Sequence, residues 1–177
     1  MNKIGIFYGS DTGNTEKSAY LICEKLKIKK NCVFDISQNS VKKIRNYDIL
    51  FFGVSTWYYG ELQTDWEEWL LLLKKISFKN KIIALFGCGD QEDYSEYFCD
   101  SLGILYNFFS KKKVNFVGKW PIKKYHFEAS KALLHNSYFC GLPLDFDRQP
   151  ELTKIRISLW VSQVLTEIQK LKILFQK

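Results

Sequence analysis

Three short stretches hold the residue types that could do chemistry. The first is Gly9-Ser10-Asp11-Thr12-Gly13-Asn14-Thr15, set between the apolar run Ile4–Tyr8 and a helical pattern reaching about Leu26. A helix start leaves its first N–H groups without partners and carries partial positive charge, so it suits a phosphate-like anion. Ser10, Thr12 and Thr15 can donate through hydroxyls and Asn14 through its amide, while Gly9 and Gly13 let backbone approach closely. An ordinary turn capped by Ser or Thr is the alternative reading. The Gly-Lys-Ser/Thr ending of a P-loop is missing, and so is the glycine spacing of a dinucleotide fingerprint. The second stretch is Ser55-Thr56-Trp57-Tyr58-Tyr59-Gly60-Glu61, and the third is Cys88-Gly89-Asp90-Gln91-Glu92-Asp93-Tyr94. Trp57 and Tyr94 could stack on the two faces of a flat ring. N–H groups of the small turn Cys88-Gly89-Asp90 could bond a polar ring edge. A planar heteroaromatic with one phosphate on a short tail would satisfy all three stretches. Each aromatic taken alone reads as a packing residue; convergence of the loops is what favours a ligand.

The elements that must position these stretches alternate regularly. Apolar runs predict strands at about 3–8, 31–36, 48–54, 81–88 and 114–118. Helical patterns cover about 14–27, 40–45, 64–74, 94–110 and 152–172, the third opened by a Thr64–Glu67 capping box. The unbroken apolar runs at 49–54 and 82–86 suit parallel strands covered on both faces. In the last helix, Ile157, Trp160, Val161, Val164, Ile168 and Leu171 form a one-sided stripe that reads as core. This alternation predicts an α/β fold with helices on both sides of a parallel sheet, and ligands then bind beyond the strands' carboxyl ends. Each of the three stretches leaves such an end. Residues 119–137 do not fit the alternation: they read as loop, weakly helical at 128–134, before strand-like residues at 138–142. A last strand interrupted by an insertion accounts for this, and loops so long are often functional. One domain over residues 1–177 is expected.

Composition narrows the classes further. The net charge of +7 invites a nucleic-acid reading, but its distribution argues against one. No Lys or Arg lies in 57–73 or 82–110, where Glu61, Asp65, Glu67, Glu68, Asp90, Glu92, Asp93, Glu96 and Asp100 do. The lysines gather at expected helix ends and turns, as solvated charge does. No apolar run is long enough to span a membrane. The chain starts directly in a strand pattern, without the look of a signal peptide. Five scattered cysteines (23, 32, 88, 99, 140) with no C-x-x-C fit reduced thiols in a cytoplasmic protein better than disulfides or zinc. The only two histidines, His126 and His135, share one segment, which weakens any His-based triad or metal centre.

Taken together, these motifs resemble the long-chain flavodoxins, enteric bacterial ones above all. The carriers are residues 9–16, 56–61 and 86–94 as quoted, with Glu96-Tyr97-Phe98-Cys99-Asp100, Tyr125-His126-Phe127-Glu128-Ala129-Ser130-Lys131 and Asp147-Arg148-Gln149-Pro150-Glu151-Leu152. The resemblance implies a three-layer sandwich on a five-stranded sheet in order 2-1-3-4-5, its fifth strand split by the insertion. It implies non-covalent FMN and low-potential one-electron transfer rather than enzymatic turnover. By position, Ser10, Asp11, Thr12, Gly13, Asn14 and Thr15 would hold the FMN phosphate, and Trp57 and Tyr94 would flank the ring. Thr56, Tyr58, Tyr59 and Gly60 would complete the loop facing flavin N5. Cys88, Gly89 and Asp90 with Cys99 would border the pyrimidine edge, and Asp147 would touch the ribityl chain. No metal is implied. Implied partners are an NADPH-dependent flavodoxin/ferredoxin reductase and acceptor redox enzymes, docking transiently at the flavin edge of a monomer, with no nucleic acid and no membrane. Three departures stand out. Ser55 replaces a usual proline, which should loosen its loop. Phe146 replaces a usual acid, and lysines replace an acidic overall charge. A flavin-dependent NAD(P)H:quinone reductase and a basic nucleic-acid-binding module are the alternatives.

Overall fold

The computed structural model describes residues 3–175. Its main sheet is parallel. Strand β1 (Ile4–Tyr8) lies between β2 (Val33–Asp35) and β3 (Ile49–Trp57), and β3 pairs in turn with β5 (Ile82–Cys88). Two short strands share the outer edge of β5. β6 (Asn115–Val117) pairs with its first half, and β10 (Leu142–Leu144) with its last three residues. Counting that split strand once, the order is the expected 2-1-3-4-5.

Alternation along each strand builds two cores, because successive side chains point to opposite faces. Leu50, Phe52 and Val54 of β3 join Phe7, Ile83 and Leu85 beneath α2 (Thr64–Leu73) and α3 (Asp100–Ser110). Ile49 and Phe51 join Ile6, Ala84 and Phe86 beneath α1 (Asn14–Leu26) and α4 (Thr153–Phe175). The stripe of α4 is core over most of its length: Ile157, Trp160, Val161, Val164 and Ile168 are buried, and Leu171 at its end is half-buried. The indole N–H of Trp160 is satisfied by the Gly118 carbonyl at 2.7 Å, as a buried indole requires.

Several local expectations fail. Thr64 does not cap α2: the cap position is Gln63, and no side chain bonds the helix end there. The pattern at 40–45 forms a 3₁₀ turn, Val41–Asn46, opened by Ser40. The helix expected from 94 starts only at Asp100. Ser95–Tyr97 makes one 3₁₀ turn, and Cys99 is left-handed at φ 55°. The Ser95 carbonyl is already taken by the N–H groups of Glu128 and Ala129, so a continuous helix would forfeit those bonds. Residues 128–134 are not helical: they pass through a bend and a turn into a short strand at Leu133–Leu134. Tyr138–Phe139 does not resume the main sheet either. It is β9, central between β7 (Trp120–Pro121) and β8 (Leu133–Leu134) in a small antiparallel sheet of the insertion. A side chain on Gly141 would come within 2.3 Å of the Leu85 carbonyl oxygen, so the chain re-enters the main sheet through a residue without one.

Among the described residues no helix is long and apolar enough to cross a membrane. No group of three or more His, Cys, Asp and Glu among them could hold a metal.

Candidate functional site

The first loop is built for an anion. The residue before α1 is Gly13 at φ 89°, a left-handed conformation that glycine adopts without strain. No side chain caps the helix, and its first outside bond runs from Lys17 N to the Gly13 carbonyl at 2.9 Å. The ordinary Ser/Thr-capped turn is therefore not what forms here. Ser10 Oγ instead accepts from Gly13 N at 3.1 Å, within the loop itself. Thr15 is 1% exposed, and its hydroxyl makes no hydrogen bond of normal length, having only the weakly bonding Cys88 thiol beside it. A buried hydroxyl without a bond is costly, so an acceptor at this helix start would relieve it. Asp11 faces outward from the loop, accepting from Gln63 Nε2 at 3.1 Å.

The second and third loops meet the first at a cleft of about 410 Å³, within the range of ligand pockets. Its walls are Thr12 and Asn14, Ser55 to Tyr58, Cys88 to Asp90, Tyr94, Phe146 and Asp147. Trp57 and Tyr94 thus line one space. Ser55, where a looser loop is expected, is tied at two points. It stays in register with Cys88 in the β3–β5 ladder, and its Oγ accepts the Trp57 indole N–H at 3.0 Å. Tyr58 is left-handed at φ 43°, and Gly60 follows at φ 87°. The turn closes with β4 (Glu61–Leu62) pairing back on β3.

The remaining candidates stand behind or beside this cleft. Gly60 lies against the Asp100 carboxylate, only 2.5 Å from where a Cβ would sit. Cys99 supports the third loop from below: a Cβ on Gly89 would lie 3.0 Å from both its N and its Sγ. Tyr59 is 73% exposed and sits edge-on to Tyr97 in a neighbouring groove with Asp93, Glu96 and Glu128.

Residues that the motifs gave no role organise these loops. Asp145 is fully buried. Its Oδ2 accepts Gln91 N and Nε2 at 3.1 and 2.9 Å, and its Oδ1 accepts Asp147 N and Arg148 N at 3.0 and 2.8 Å. One carboxylate therefore fixes the third loop to the 145–148 turn. Arg148 adds ion pairs to Asp90, Glu92 and Asp93. Burial alone would raise Asp90, but the Arg148 guanidinium and the N–H groups of Glu92 and Asp93 hold its carboxyl below the usual range. Desolvation, then the neighbouring carboxylates of Asp90 and Asp145, push Asp147 up. Burial pushes the Cys88 thiol up to about 11, so it stays neutral. Phe146 lines the cleft beneath Lys17, whose ammonium lies 5.5 Å from the ring centre. Polar residues between apolar strand ends were the available sequence signal for Asp145 and Gln91, but nothing local pairs them across 54 positions.

Comparison with known proteins gives one answer. The flavodoxin family model matches residues 6–160. A flavodoxin of Buchnera aphidicola from Acyrthosiphon pisum is 58% identical over 165 residues, 93% of this chain and 96% of the relative. Flavodoxin 1 of Salmonella typhimurium is 51% identical, covering 93% of each chain. Among solved structures, Fusobacterium nucleatum flavodoxin bound to flavin mononucleotide superposes with a TM-score of 0.87 at 34% identity. That match covers 94% of this chain and 99% of the other.

Proposed function

The chain belongs to the flavodoxin family, and from that premise we propose that its cleft holds FMN and that it carries electrons one at a time, at low potential, between a reductase and acceptor redox enzymes. The observation that carries this reading is the meeting of three loops at one cleft, with an unpartnered buried hydroxyl at its helix end. FMN, when bound, supplies the electron-accepting ring; the protein binds, orients and tunes it. Ser10, Asp11, Thr12, Gly13, Asn14 and Thr15 would surround the phosphate, through hydroxyls and the free N–H groups at the start of α1. Trp57 and Tyr94 would cover the ring and exclude water. The N–H groups of Cys88, Gly89 and Asp90 would meet its polar edge, above Cys99. Thr56, Tyr58, Tyr59 and Gly60 would complete the wall at N5, and Asp147 would reach the ribityl chain. Asp90 and Asp147 line this end of the cleft with buried Asp145 behind them, and Arg148 pairs with Asp90, so the net local charge is negative. Their field disfavours added negative charge and so lowers the potential.

Docking falls to the rim. Tyr59 and Tyr94 are exposed beside Asp93, Glu96 and Glu128, and Tyr58 is exposed next to Tyr59. This acidic, aromatic edge suits transient contact with a basic surface such as that of an NADPH-dependent flavodoxin/ferredoxin reductase, despite the overall +7. The chain would act as a single-domain monomer in the cytoplasm. Titration of the ligand-free protein with FMN, followed by stepwise reduction, tests the reading. Stoichiometric binding with two separate one-electron steps is expected. A protein that stays colourless in excess FMN refutes it, and turnover of NAD(P)H and quinone without a reductase would move it to the quinone reductases.

A further inference from the structure

The insertion between β6 and β10 contributes no residue to the cleft wall. Its stretch 126–131 nevertheless makes successive contacts with the elements behind it. His126 N donates to Gln91 Oε1 at 2.7 Å, and Glu128 N and Ala129 N donate to the Ser95 carbonyl at 3.0 Å each. Lys131 then gives Asp100 both its backbone N–H, at 2.7 Å, and its ammonium, at 2.8 Å. The Asp100 side chain is 2% exposed, and Lys131 supplies all of its hydrogen bonds and ion pairs among the described residues. Breaking such a pair strands a buried charge, which costs far more than losing a surface salt bridge.

Asp100 occupies a sensitive position. It begins α3, where a negative charge suits the helix dipole. Its Oδ2 presses on the left-handed Gly60. The next residue holds both ends of the same turn: Ser101 N donates to Thr56 Oγ1 at 3.1 Å, and Ser101 Oγ donates to the Glu61 carbonyl at 3.0 Å. Cys99, just before, supports Gly89. Gly103, one turn on, leaves room for the Lys131 backbone, since a Cβ there would lie 2.1 Å from the Lys131 carbonyl oxygen. The start of α3 is thus the rear support of both ring-facing loops, and Lys131 pins it.

We propose that Lys131 is a positioning residue for the flavin ring: by pairing with Asp100 it sets the 56–61 turn and the Gly89 backbone against which the ring lies. This rests on the FMN reading above. The phosphate loop at 9–15 is outside this chain of contacts, so the effect must fall on the ring alone. Lys131→Met, at a half-exposed side chain, should weaken FMN by about tenfold, or about 1.4 kcal/mol. Riboflavin, which lacks the phosphate, should weaken by the same factor, and the visible circular dichroism of the bound ring should change. Lys131→Arg should restore all three. A purely structural role would lower the melting temperature and leave both affinities unchanged, and that result overturns the proposal. A loss confined to FMN overturns it too, as does failure of Arg to restore binding. A wild-type protein that binds neither flavin removes the functional reading itself, and this inference with it.

Discussion

Replacing Thr15 by Val should move stability and ligand affinity in opposite directions. Thr15 lies in the first turn of α1, 1% exposed, with its hydroxyl unpartnered. Val has nearly the same shape, is equally β-branched, and carries no polar group to bury. A buried unsatisfied polar atom costs about 1–3 kcal/mol. Removing it should therefore stabilise the ligand-free protein by about 1 kcal/mol, raising its melting temperature by about 2–4 °C for a chain of this length. A hydrogen bond to a charged phosphate contributes about 1.5–3 kcal/mol. Losing it should weaken FMN by about 10–100-fold, at about 1.4 kcal/mol per decade. Riboflavin affinity should not change, and Thr15→Ser should bind FMN nearly as the wild type does. Urea unfolding of the ligand-free protein and flavin-fluorescence titrations measure both quantities. A ligand-free variant destabilised by more than about 1 kcal/mol would show that the hydroxyl is already satisfied, against the premise of the energetic argument. Equal weakening of FMN and riboflavin would refute its assignment to the phosphate.

Asp145→Asn should cost about 2–4 kcal/mol in urea unfolding of the ligand-free protein, because either amide orientation turns an NH₂ group toward two N–H donors; a midpoint unchanged from wild type would contradict the network. Reduction by a flavodoxin reductase should slow as ionic strength rises from about 0.01 to 0.1 M, which shortens the Debye length from about 30 to 10 Å, and Glu96→Gln, in the exposed rim, should flatten that dependence; a rate indifferent to both would remove the acidic rim from docking. Native protein should expose one reactive thiol to DTNB at neutral pH, half-buried Cys32, and all five once unfolded, since Cys23, Cys88, Cys99 and Cys140 are buried. Stability should then fall as pH rises from about 9, the usual thiol value, through the folded-state values of about 11 for Cys88 and about 12 for Cys140. Burial keeps those thiols protonated only in the folded chain, so the unfolded state gains by ionising; a melting temperature flat from pH 8.5 to about 11 would argue against it.

The order of elements, the strand-to-loop exits and the cleft-lining aromatics were determined by the sequence alone. Those signals are local. An unbroken apolar run such as Ile82 to Phe86 needs two covering layers whatever lies elsewhere, and Gly13 before a helix has few other uses. Trp57 and Tyr94 were legible because aromatics at a sheet's ligand edge have no core to fill. What only the tertiary structure decided are the contacts that aim these parts. Gln91 meets Asp145 across 54 residues, His126 meets Gln91 across 35, and Lys131 meets Asp100 across 31. The same contacts overruled local propensity: the Ser95 carbonyl, claimed by the insertion, interrupts the helix expected from 94. A hydrogen bond gains most where water is excluded, and which polar groups share a dry space depends on how the layers close over them.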